Sequence, residues 1–289
     1  MSSTSPRSIV VTGANKGIGY EAVKQLAVKL PQATIYLTAR SQSNGDNAIQ
    51  KMKKEESSHD FSNVRVVILE ILDSSSIQQA VESVKKESGS LDVLLHNSGI
   101  SSADGDPQSP KVMDVNVRAV KKVIDAFSPI LSKDHGKIIV VSSEVATWAT
   151  DALKPELQEK VLDVKNTPFE QVDAWIDDWV LSKDGKPSKE PWNPTDSLTN
   201  GAYCVSKALL NAYLRNYASQ PNSFPLAIVC PGYCATDLNN NSGYRSAAQG
   251  GESVTWPIFN DFKSGHYYQD GKEGPASRPM SAEFAKLHD

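Results

Sequence analysis

The stretch Thr12–Gly19 reads TGANKGIG and determines the fold class of this chain. It follows a short β-branched run, Ile9–Val11, and opens a segment whose apolar residues recur at helical spacing. A strand, a tight glycine turn and a helix in this order are the context in which a glycine pattern predicts a nucleotide-binding site. The spacing is Gly-x-x-x-Gly-x-Gly, not the commoner Gly-x-Gly-x-x-Gly. Because three glycines also suit an ordinary turn, a function needs a second feature.

The three glycines each have a physical role in a nucleotide site. Gly13 adopts a backbone turn that other residues avoid, Gly17 lets the backbone approach a pyrophosphate, and Gly19 lets helix and strand pack closely. The free N–H groups at the start of the helix then face the phosphates. We expect six residues of this turn to bind a dinucleotide cofactor: Gly13, Asn15, Lys16, Gly17, Ile18 and Gly19.

A tyrosine and a lysine much farther along the chain supply the second feature. Tyr203 and Lys207 form a Tyr-x-x-x-Lys pattern at the start of an apolar helical run. Residues four apart share one helix face, so the phenol and the ammonium group point into one site. A nearby cation favours the phenolate, so we expect Lys207 to lower the pKa of the Tyr203 phenol. Upstream, the strand-like run Ile138–Val141 ends in Ser142 and Ser143, which places a hydroxyl where open α/β sheets bind ligands.

Together these residues resemble the short-chain dehydrogenase/reductase family over about residues 7 to 275. The resemblance implies a catalytic set of Ser143, Tyr203 and Lys207, with Asn116 as its fourth member. In such a site NADPH delivers hydride to a ketone or aldehyde, Ser143 and Tyr203 hydrogen-bond the carbonyl oxygen, and Tyr203 is the general acid. Lys207 would also bind the nicotinamide ribose, and Asn116 would hold a water for proton relay. Asn116 has poor helix propensity in a predicted helix, which indicates a local backbone distortion.

Two cations indicate that the cofactor is NADP(H) rather than NAD(H). Arg40 follows the second predicted strand, where an acidic residue would bind an NAD ribose. It suits a 2′-phosphate through charge-assisted hydrogen bonds, and Lys16 adds a second positive charge. After the third strand, Glu70 stands where the family usually carries the Asp that binds the adenine amine. Asp73 is the competing candidate, and a loop or cap residue is its ordinary interpretation.

The resemblance assigns further cofactor contacts to residues that follow strands. His96–Gly99 reads HNSG where the family usually reads NNAG, and we interpret His96 as a buried, hydrogen-bonded structural residue. Pro231–Thr236 resembles the loop that holds the nicotinamide carboxamide. Besides Tyr203 and Lys207, the remaining implied contacts are Ile71, Asn97, Gly99, Pro231, Gly232, Cys234 and Thr236.

The order of predicted elements gives the fold class. Apolar β-rich runs alternate with helical patterns, which predicts an α/β fold with a Rossmann-type doubly wound parallel sheet. We predict one NADP-binding domain over residues 1–289, with a helical insertion at about 144–200 and a substrate-loop region at about 233–262. Three local predictions are a long helix over Lys111–Leu131, a serine-capped helix over Ser75–Glu87, and a last strand at Gly265–Tyr268.

The insertion is relevant to the oligomeric state of the protein and to the binding of its substrate. It contains helical stretches at Pro155–Leu162 and Phe169–Leu181, and it resembles the insertion with which the monomeric carbonyl-reductase branch covers the surface that other members use to associate. The resemblance implies a monomer, although an ordinary surface insertion also fits the pattern. Four aromatic residues suggest an apolar substrate pocket, unless they belong to the core: Trp148, Tyr233, Tyr244 and Trp256.

Composition and charge exclude several other functions. The chain has 30 Lys and Arg against 34 Asp and Glu, and without a basic stripe we expect no nucleic-acid partner. No apolar run approaches the roughly 20 residues that span a bilayer, so we expect no membrane insertion. Met1–Pro6 does not have the pattern of a secretory signal. The five histidines and three cysteines show no ligand spacing, so we expect no metal and reduced thiols in a cytoplasmic protein.

Two other functions stay open on the sequence alone. The first is a pathway-specific ketoreductase or alcohol dehydrogenase that acts on one natural product. The second is a non-redox, cofactor-binding protein on the same fold, against which stands the complete set of Asn116, Ser143, Tyr203 and Lys207. For either reductase, the expected partner is a small-molecule carbonyl substrate.

Overall fold

The strands of the molecule form one sheet. The computed structural model describes residues 7–102, 104–193 and 198–280. Their strands are β1 (Ser8–Val11), β2 (Thr34–Ala39), β3 (Val64–Ile68), β4 (Val93–His96), β5 (Lys137–Val141), β6 (Leu226–Cys230), β7 (Tyr267–Gln269) and β8 (Lys272–Gly274). They lie in the order β3-β2-β1-β4-β5-β6-β7-β8, and every neighbouring pair is parallel except β7 and β8. The predicted Rossmann-type α/β fold is confirmed.

Helices cover both faces of this sheet. In chain order they are α1 (Gly17–Lys29), α2 (Gln42–Glu55), α3 (Ser74–Ser88), α4 (Lys111–Met113), α5 (Ala119–Phe127), α6 (Val145–Ala152), α7 (Pro155–Leu162), α8 (Phe169–Lys183), α9 (Ala202–Ser219) and α10 (Ala247–Phe259). A π-helical turn, Asp114–Arg118, joins α4 to α5.

Side chains of the sheet alternate between two apolar cores. Val10 and Leu94 face a core shared with α5 and α9, whereas Ile9 and Leu95 face a core shared with α1 and α10. A parallel sheet buried on both faces explains why its strands read as continuous apolar runs. The strand order reverses between β1 and β4, and such a switch point opens a crevice at the carboxyl ends of the strands.

Of three local predictions, the long helix over Lys111–Leu131 is confirmed: helical turns follow one another from Lys111 to Ile130, with the π turn among them. The other two were partly wrong. The cap of α3 is Asp73 rather than a serine; its carboxylate accepts a hydrogen bond from the Ser75 amide at 2.8 Å, and a negative charge suits the positive end of a helix. The strand predicted at Gly265–Tyr268 is present as Tyr267–Gln269, but it is not the last strand, because the chain turns back into β8, which was not predicted.

The insertion packs its two predicted helices against α5 and α9. The Phe169 ring of α8 meets the Tyr213 ring of α9 nearly edge-on at 5.2 Å, and Lys121 of α5 lies 5.3 Å from the same Phe169 ring. Asp178 of α8 accepts hydrogen bonds from the backbone of Lys189 and Glu190 and from an indole N–H, at 2.7 to 3.0 Å. The four tryptophans of the insertion are buried: Trp148, Trp175, Trp179 and Trp192.

Some predictions concern residues outside the described ranges. Met1–Pro6, the chain end after residue 280 and residues 194–197 of the insertion are among them. Within the described ranges, none of the helices has the length and apolar character that crossing a membrane requires.

Candidate active site

A cleft of about 790 Å³ opens at the carboxyl ends of the central strands. It brings together side chains and backbone from segments that lie far apart in the sequence. The predicted site residues that line it are Gly13, Asn15, Lys16, Gly17, Ile18, Arg40, Glu70, Ile71, Asn97, Gly99, Tyr203, Lys207, Pro231 and Thr236. The glycine turn therefore predicted one wall of the cleft, and the tyrosine and lysine predicted the other wall.

The backbone of the glycine turn forms part of the surface of this cleft. Gly13 has a φ of +61°, and a Cβ added to it would lie 2.8 Å from the Oγ of Ser98. A Cβ on Gly19 would lie 2.5 Å from the Nδ2 of Asn97. Side chains are thus excluded from both positions, and the backbone can approach a phosphate closely. The turn fits the pyrophosphate of a dinucleotide.

Thr12 fixes the glycine turn to the loop after β4, a role that the sequence analysis missed. Its buried hydroxyl accepts hydrogen bonds from the amides of Asn97 and Ser98, both at 3.0 Å. In return, the Asn97 amide group donates to the carbonyls of Thr12 and Gly13 at 3.1 and 3.2 Å. A threonine directly before the first glycine was the available signal, because only a hydroxyl there can hold two neighbouring amides.

The start of α1 has no side-chain cap, which leaves its first amides available to an anion. Lys16 occupies the cap position in extended backbone and makes no side-chain capping hydrogen bond. Its ammonium group pairs instead with Asp237 across the cleft at 2.9 Å, with both side chains about two-thirds exposed. An exposed pair of this kind contributes little and exchanges readily for another anion. Uncapped amides and a nearby lysine together suit a phosphate.

Arg40 and Glu70 face the far end of the cleft. Arg40 is exposed directly after β2 and makes no ion pair with any residue of the described ranges. Glu70 is half-buried and lines the cleft, and its carboxylate accepts the Leu72 amide at 3.4 Å. Asp73 is engaged as the cap of α3 and is not among the lining residues. Of the two acids considered for the adenine, Glu70 is therefore the better placed.

Ser143 and Tyr203 form a hydroxyl pair at the other end. Tyr203 stands at the second position of α9 and Ser143 directly follows the β5 strand and Ser142. The two hydroxyls are hydrogen-bonded to each other. Burial raises the pKa of the Tyr203 phenol well above its ordinary value, and the bond from Ser143 only partly opposes this. The expected lowering of the Tyr203 pKa is wrong, because burial of the phenol is the largest influence and raises this pKa.

Lys207 is buried one helical turn beyond Tyr203. Its ammonium group donates a hydrogen bond to the Val141 carbonyl at 3.0 Å and lies 5.8 Å from the centre of the Tyr203 ring. Burial lowers the pKa of Lys207 to about 8. Lys207 is therefore charged at neutral pH, yet close enough to its pKa to exchange a proton.

Asn116 lies in the π turn and is fully buried, so the predicted backbone distortion is confirmed. Its side-chain carbonyl accepts the Ile100 amide at 2.9 Å, and its amide group donates to the Ile100 carbonyl and the Ser206 hydroxyl at 2.9 and 3.0 Å. A Cβ on Gly99 would lie 3.2 Å from the Asn116 Oδ1 and 3.6 Å from the Lys207 Nζ. The missing side chain at Gly99 thus leaves space between Asn116 and Lys207.

His96 is a structural residue, as predicted, but not a hydrogen-bonded one. It is 1% exposed, and no hydrogen bond of ordinary geometry joins either ring nitrogen to the residues that the structure describes. Burial and the nearby charge of Lys207 lower the pKa of His96 to about 3, although the Ser98 backbone opposes the shift. The imidazole is therefore neutral at any working pH and is unsuited to acid-base catalysis.

Some predicted site residues do not line the cleft. Gly19, Asn116, Ser143, Gly232 and Cys234 are not among the lining residues. Cys234 is buried, and its thiol donates to the Pro231 carbonyl at 3.2 Å.

The expected aromatic lining is not found either. Trp256 packs against the Tyr268 ring at 5.5 Å, and Trp148 is buried in α6. Tyr244 is 71% exposed and rests on Tyr233 at 5.9 Å. The lining residues that the sequence analysis did not single out are mostly neighbours of its motifs: Ala39, Leu69, Leu72, Ser98, Ile100, Ser101, Ser102, Asp104, Lys111, Val115, Val141, Ser142, Asp237, Leu238 and Asn240.

The chemistry available here is proton transfer beside a bound dinucleotide. The cleft offers a protonated phenol and a lysine at one end and a phosphate cradle at the other, and the Ser143 hydroxyl lies beside the phenol. Among the described residues, no group of histidines, cysteines and acids is arranged to hold a metal ion.

Comparison with known proteins gives this arrangement a family. The short chain dehydrogenase family model matches residues 7–153. The chain is 30% identical to (+)-neomenthol dehydrogenase of Capsicum annuum over 87% of its length and 91% of that protein. It is 31% identical to carbonyl reductase [NADPH] 1 of Rattus norvegicus over 95% of its length and 100% of that protein. The structure of salutaridine reductase from Papaver somniferum superposes with a TM-score of 0.75 at 25% identity, covering 91% and 99% of the two chains. The chain belongs to the short-chain dehydrogenase/reductase family of oxidoreductases, in the branch that includes the carbonyl reductases.

Proposed function

We propose that this chain is an NADPH-dependent reductase that transfers hydride to a ketone or aldehyde carbonyl, with Tyr203 as the general acid. The observation that carries the proposal is the hydrogen-bonded pair of Ser143 and Tyr203, set beside the buried Lys207 in the same cleft as the glycine turn. A protein that only binds a dinucleotide has no use for this arrangement.

Each of the four proposed catalytic residues has its own role in proton transfer. Bound NADPH supplies the hydride, and the protein supplies position and charge. As the carbonyl oxygen becomes negative, the Ser143 and Tyr203 hydroxyls donate hydrogen bonds to it, and Tyr203 gives up its proton. The raised pKa of Tyr203 keeps the phenol protonated at neutral pH, which is the form a general acid needs. Lys207 stabilises the phenolate that remains, and Asn116 holds a water that relays a proton to it.

NADP(H) is the cofactor that the charges favour. Arg40 is exposed on the cleft after β2, without an ion-pair partner in the described ranges, and no acid stands there to repel a 2′-phosphate. Lys16 can leave its weak pair with Asp237 for a phosphate of the cofactor. The rat relative is a carbonyl reductase named for NADPH, which supports the same choice. Further cofactor contacts follow from the lining residues of the glycine turn, Glu70, Asn97 and the loop that begins at Pro231.

A second candidate is a ketoreductase that acts on one natural product. Two relatives are named for single compounds, as a neomenthol dehydrogenase and a salutaridine reductase. The two candidates share every catalytic residue and differ only in the breadth of substrates.

A substrate panel tests the proposal. We expect NADPH oxidation with at least one of three classes, namely cyclic ketones, aromatic aldehydes and quinones, with the alcohol or hydroquinone identified as product. One compound preferred at least about 100-fold in kcat/KM would favour the pathway-specific enzyme, since pocket contacts alone give discrimination of this order. NADPH binding without turnover of any class would contradict the reductase and favour a non-redox protein.

We also propose that the chain is a monomer with a single NADP-binding domain. The insertion occupies the outer faces of α5 and α9, where another copy would otherwise pack. The three cysteines form no disulfide in the described part of the chain, which supports a cytoplasmic location.

A further inference from the structure

We propose that Arg118 is a positioning residue that ties the π turn carrying Asn116 to helix α8 of the insertion. Through this tie the insertion, besides covering α5 and α9, would set the geometry of the proton relay. The effect on turnover rests on the proposed reductase function, whereas the effect on Asn116 does not.

The π turn needs support from outside itself. A π turn is rare within α-helices, because its wider hydrogen-bonded loop is less favourable than the regular helix. It nevertheless aims Asn116 so that one side chain satisfies both the amide and the carbonyl of Ile100 and also reaches Ser206. A turn that relaxed to regular helix would move Asn116 off these partners.

Arg118 makes three ion pairs at the end of this turn. Its Nη1 lies 3.0 Å from the carboxylate of Asp114, the first residue of the turn. Its Nε and Nη2 lie 2.5 Å from Asp173 and Asp177 of α8. Asp173 and Asp177 are four residues apart and share one helix face. Arg118 thus links the last residue of the turn to the first and ties the last residue to the insertion.

The geometry of these pairs makes arginine specific here. A single exposed ion pair contributes little, but the rigid guanidinium holds three carboxylates in fixed directions, which one ammonium group cannot do. The Arg118 side chain is 27% exposed and that of Asp173 is 41% exposed, so solvent screens this pair less than a pair of fully exposed side chains. Helix α8 is itself a fixed anchor, because Trp179 is fully buried and its indole donates to Asn200 at 3.2 Å.

Hydrogen exchange of the Ile100 amide measures the position of Asn116 without any turnover. In the full chain of Arg118→Met without cofactor, we expect the Ile100 amide hydrogen to exchange at least about tenfold faster than in the unmodified chain. The reason is that Asn116, which accepts the hydrogen bond of this amide, is displaced. The double variant Asp173→Asn, Asp177→Asn should act in the same direction and serves if Arg118→Met does not fold. Lys160→Met is the matched control: it breaks the Lys160–Glu190 pair of the insertion, at 2.7 Å, and should leave Ile100 unchanged.

Kinetics then connect the position of Asn116 to the reaction. We expect kcat of Arg118→Met to fall about tenfold with KM for NADPH and substrate unchanged, together with a larger solvent deuterium isotope effect, because proton relay becomes limiting. Arg118→Lys should recover only part of the loss. A merely structural arginine would lower Tm while kcat per folded molecule stayed constant. Unchanged Ile100 exchange, or faster exchange with unchanged kcat, would overturn the proposal. If the unmodified chain reduces no carbonyl compound, the proposed reductase function is wrong. The exchange rate of the Ile100 amide would then still test whether Arg118 positions Asn116.

Discussion

Replacing Tyr203 by phenylalanine tests the proposed chemistry most directly, because it removes one oxygen and keeps the ring. We expect kcat for carbonyl reduction to fall about 10²- to 10⁴-fold, the usual contribution of a general acid. This corresponds to roughly 2.7–5.5 kcal/mol of activation free energy. The loss is confined to this range because Ser143 remains to hydrogen-bond the carbonyl oxygen.

The same substitution should change stability much less. The lost contact is one hydrogen bond between neutral hydroxyls, worth about 0.5–1.5 kcal/mol. Both side chains are only half-buried, so water replaces the missing partner of Ser143. The expected decrease in Tm is at most about 4 °C. NADPH affinity should persist, since the glycine turn, Arg40 and Lys207 are untouched. A large loss of rate with a small loss of stability is the signature of a catalytic group.

Steady-state NADPH oxidation, a fluorescence titration of NADPH and thermal unfolding measure the three quantities. Tyr213→Phe is the matched control: Tyr213 lies on the same helix, is 4% exposed, and loses the same atom. It should retain kcat. Lys207→Ala should lower both turnover and NADPH affinity, because Lys207 serves both. If Tyr203→Phe keeps more than about a tenth of the rate, Tyr203 is not the proton donor, and the chain reverts to a cofactor-binding fold of unknown purpose.

Four further predictions follow from charge, burial and packing. Arg40→Asp should weaken NADPH binding at least about tenfold and remove the preference over NADH, and equal dissociation constants in the unmodified chain would contradict this. Because the pKa of Lys207 is lowered to about 8, carbonyl reduction should decline as the pH rises through 8; a flat profile from pH 7 to 9 would contradict its role. Three N–H donors outweigh burial and lower the pKa of Asp178, so its stabilisation is present above the unfolded pKa of about 3.9 and lost as the pH falls further. Asp178→Asn should therefore cost about 1.5–3 kcal/mol in urea unfolding at pH 7 and less below pH 4. Light scattering at micromolar concentration should give one chain mass, and a stable dimer would show that the insertion does not block association.

Local patterns were enough to predict the parts of the fold that local physics controls. The glycine turn, the alternation of strands with helices and the pair Tyr203 and Lys207 each follow from short-range spacing. The distortion at Asn116 was also predictable, because an asparagine opposes a regular helix. The aspartate cap of α3 lay within reach too, since Asp73 directly precedes the helix.

Features that depend on distant partners could not be predicted in this way. The pair of Lys16 and Asp237 joins residues 221 positions apart, and no spacing rule connects them. The rise in the Tyr203 pKa is also a tertiary effect, because the Tyr-x-x-x-Lys pattern does not show that the fold buries the phenol. Likewise, a tryptophan such as Trp256 suits either the lining of a pocket or the core. Only its packing against Tyr268 shows that it belongs to the core.

The candidate site also coincides with the places where the chain departs from ordinary structural rules. Lys207 is a buried cation without a carboxylate partner in the described ranges, and Asn116 lies in a π turn. His96 is a buried imidazole whose ring nitrogens make no hydrogen bond of ordinary geometry with the residues that the structure describes. Each departure lowers stability, so the surrounding structure has to hold it in place. All three lie close to Tyr203 and Lys207: the Lys207 charge acts on His96, and Asn116 donates to Ser206 in the same helix turn. Departures of this kind are typical of functional sites, whatever proteins the chain resembles.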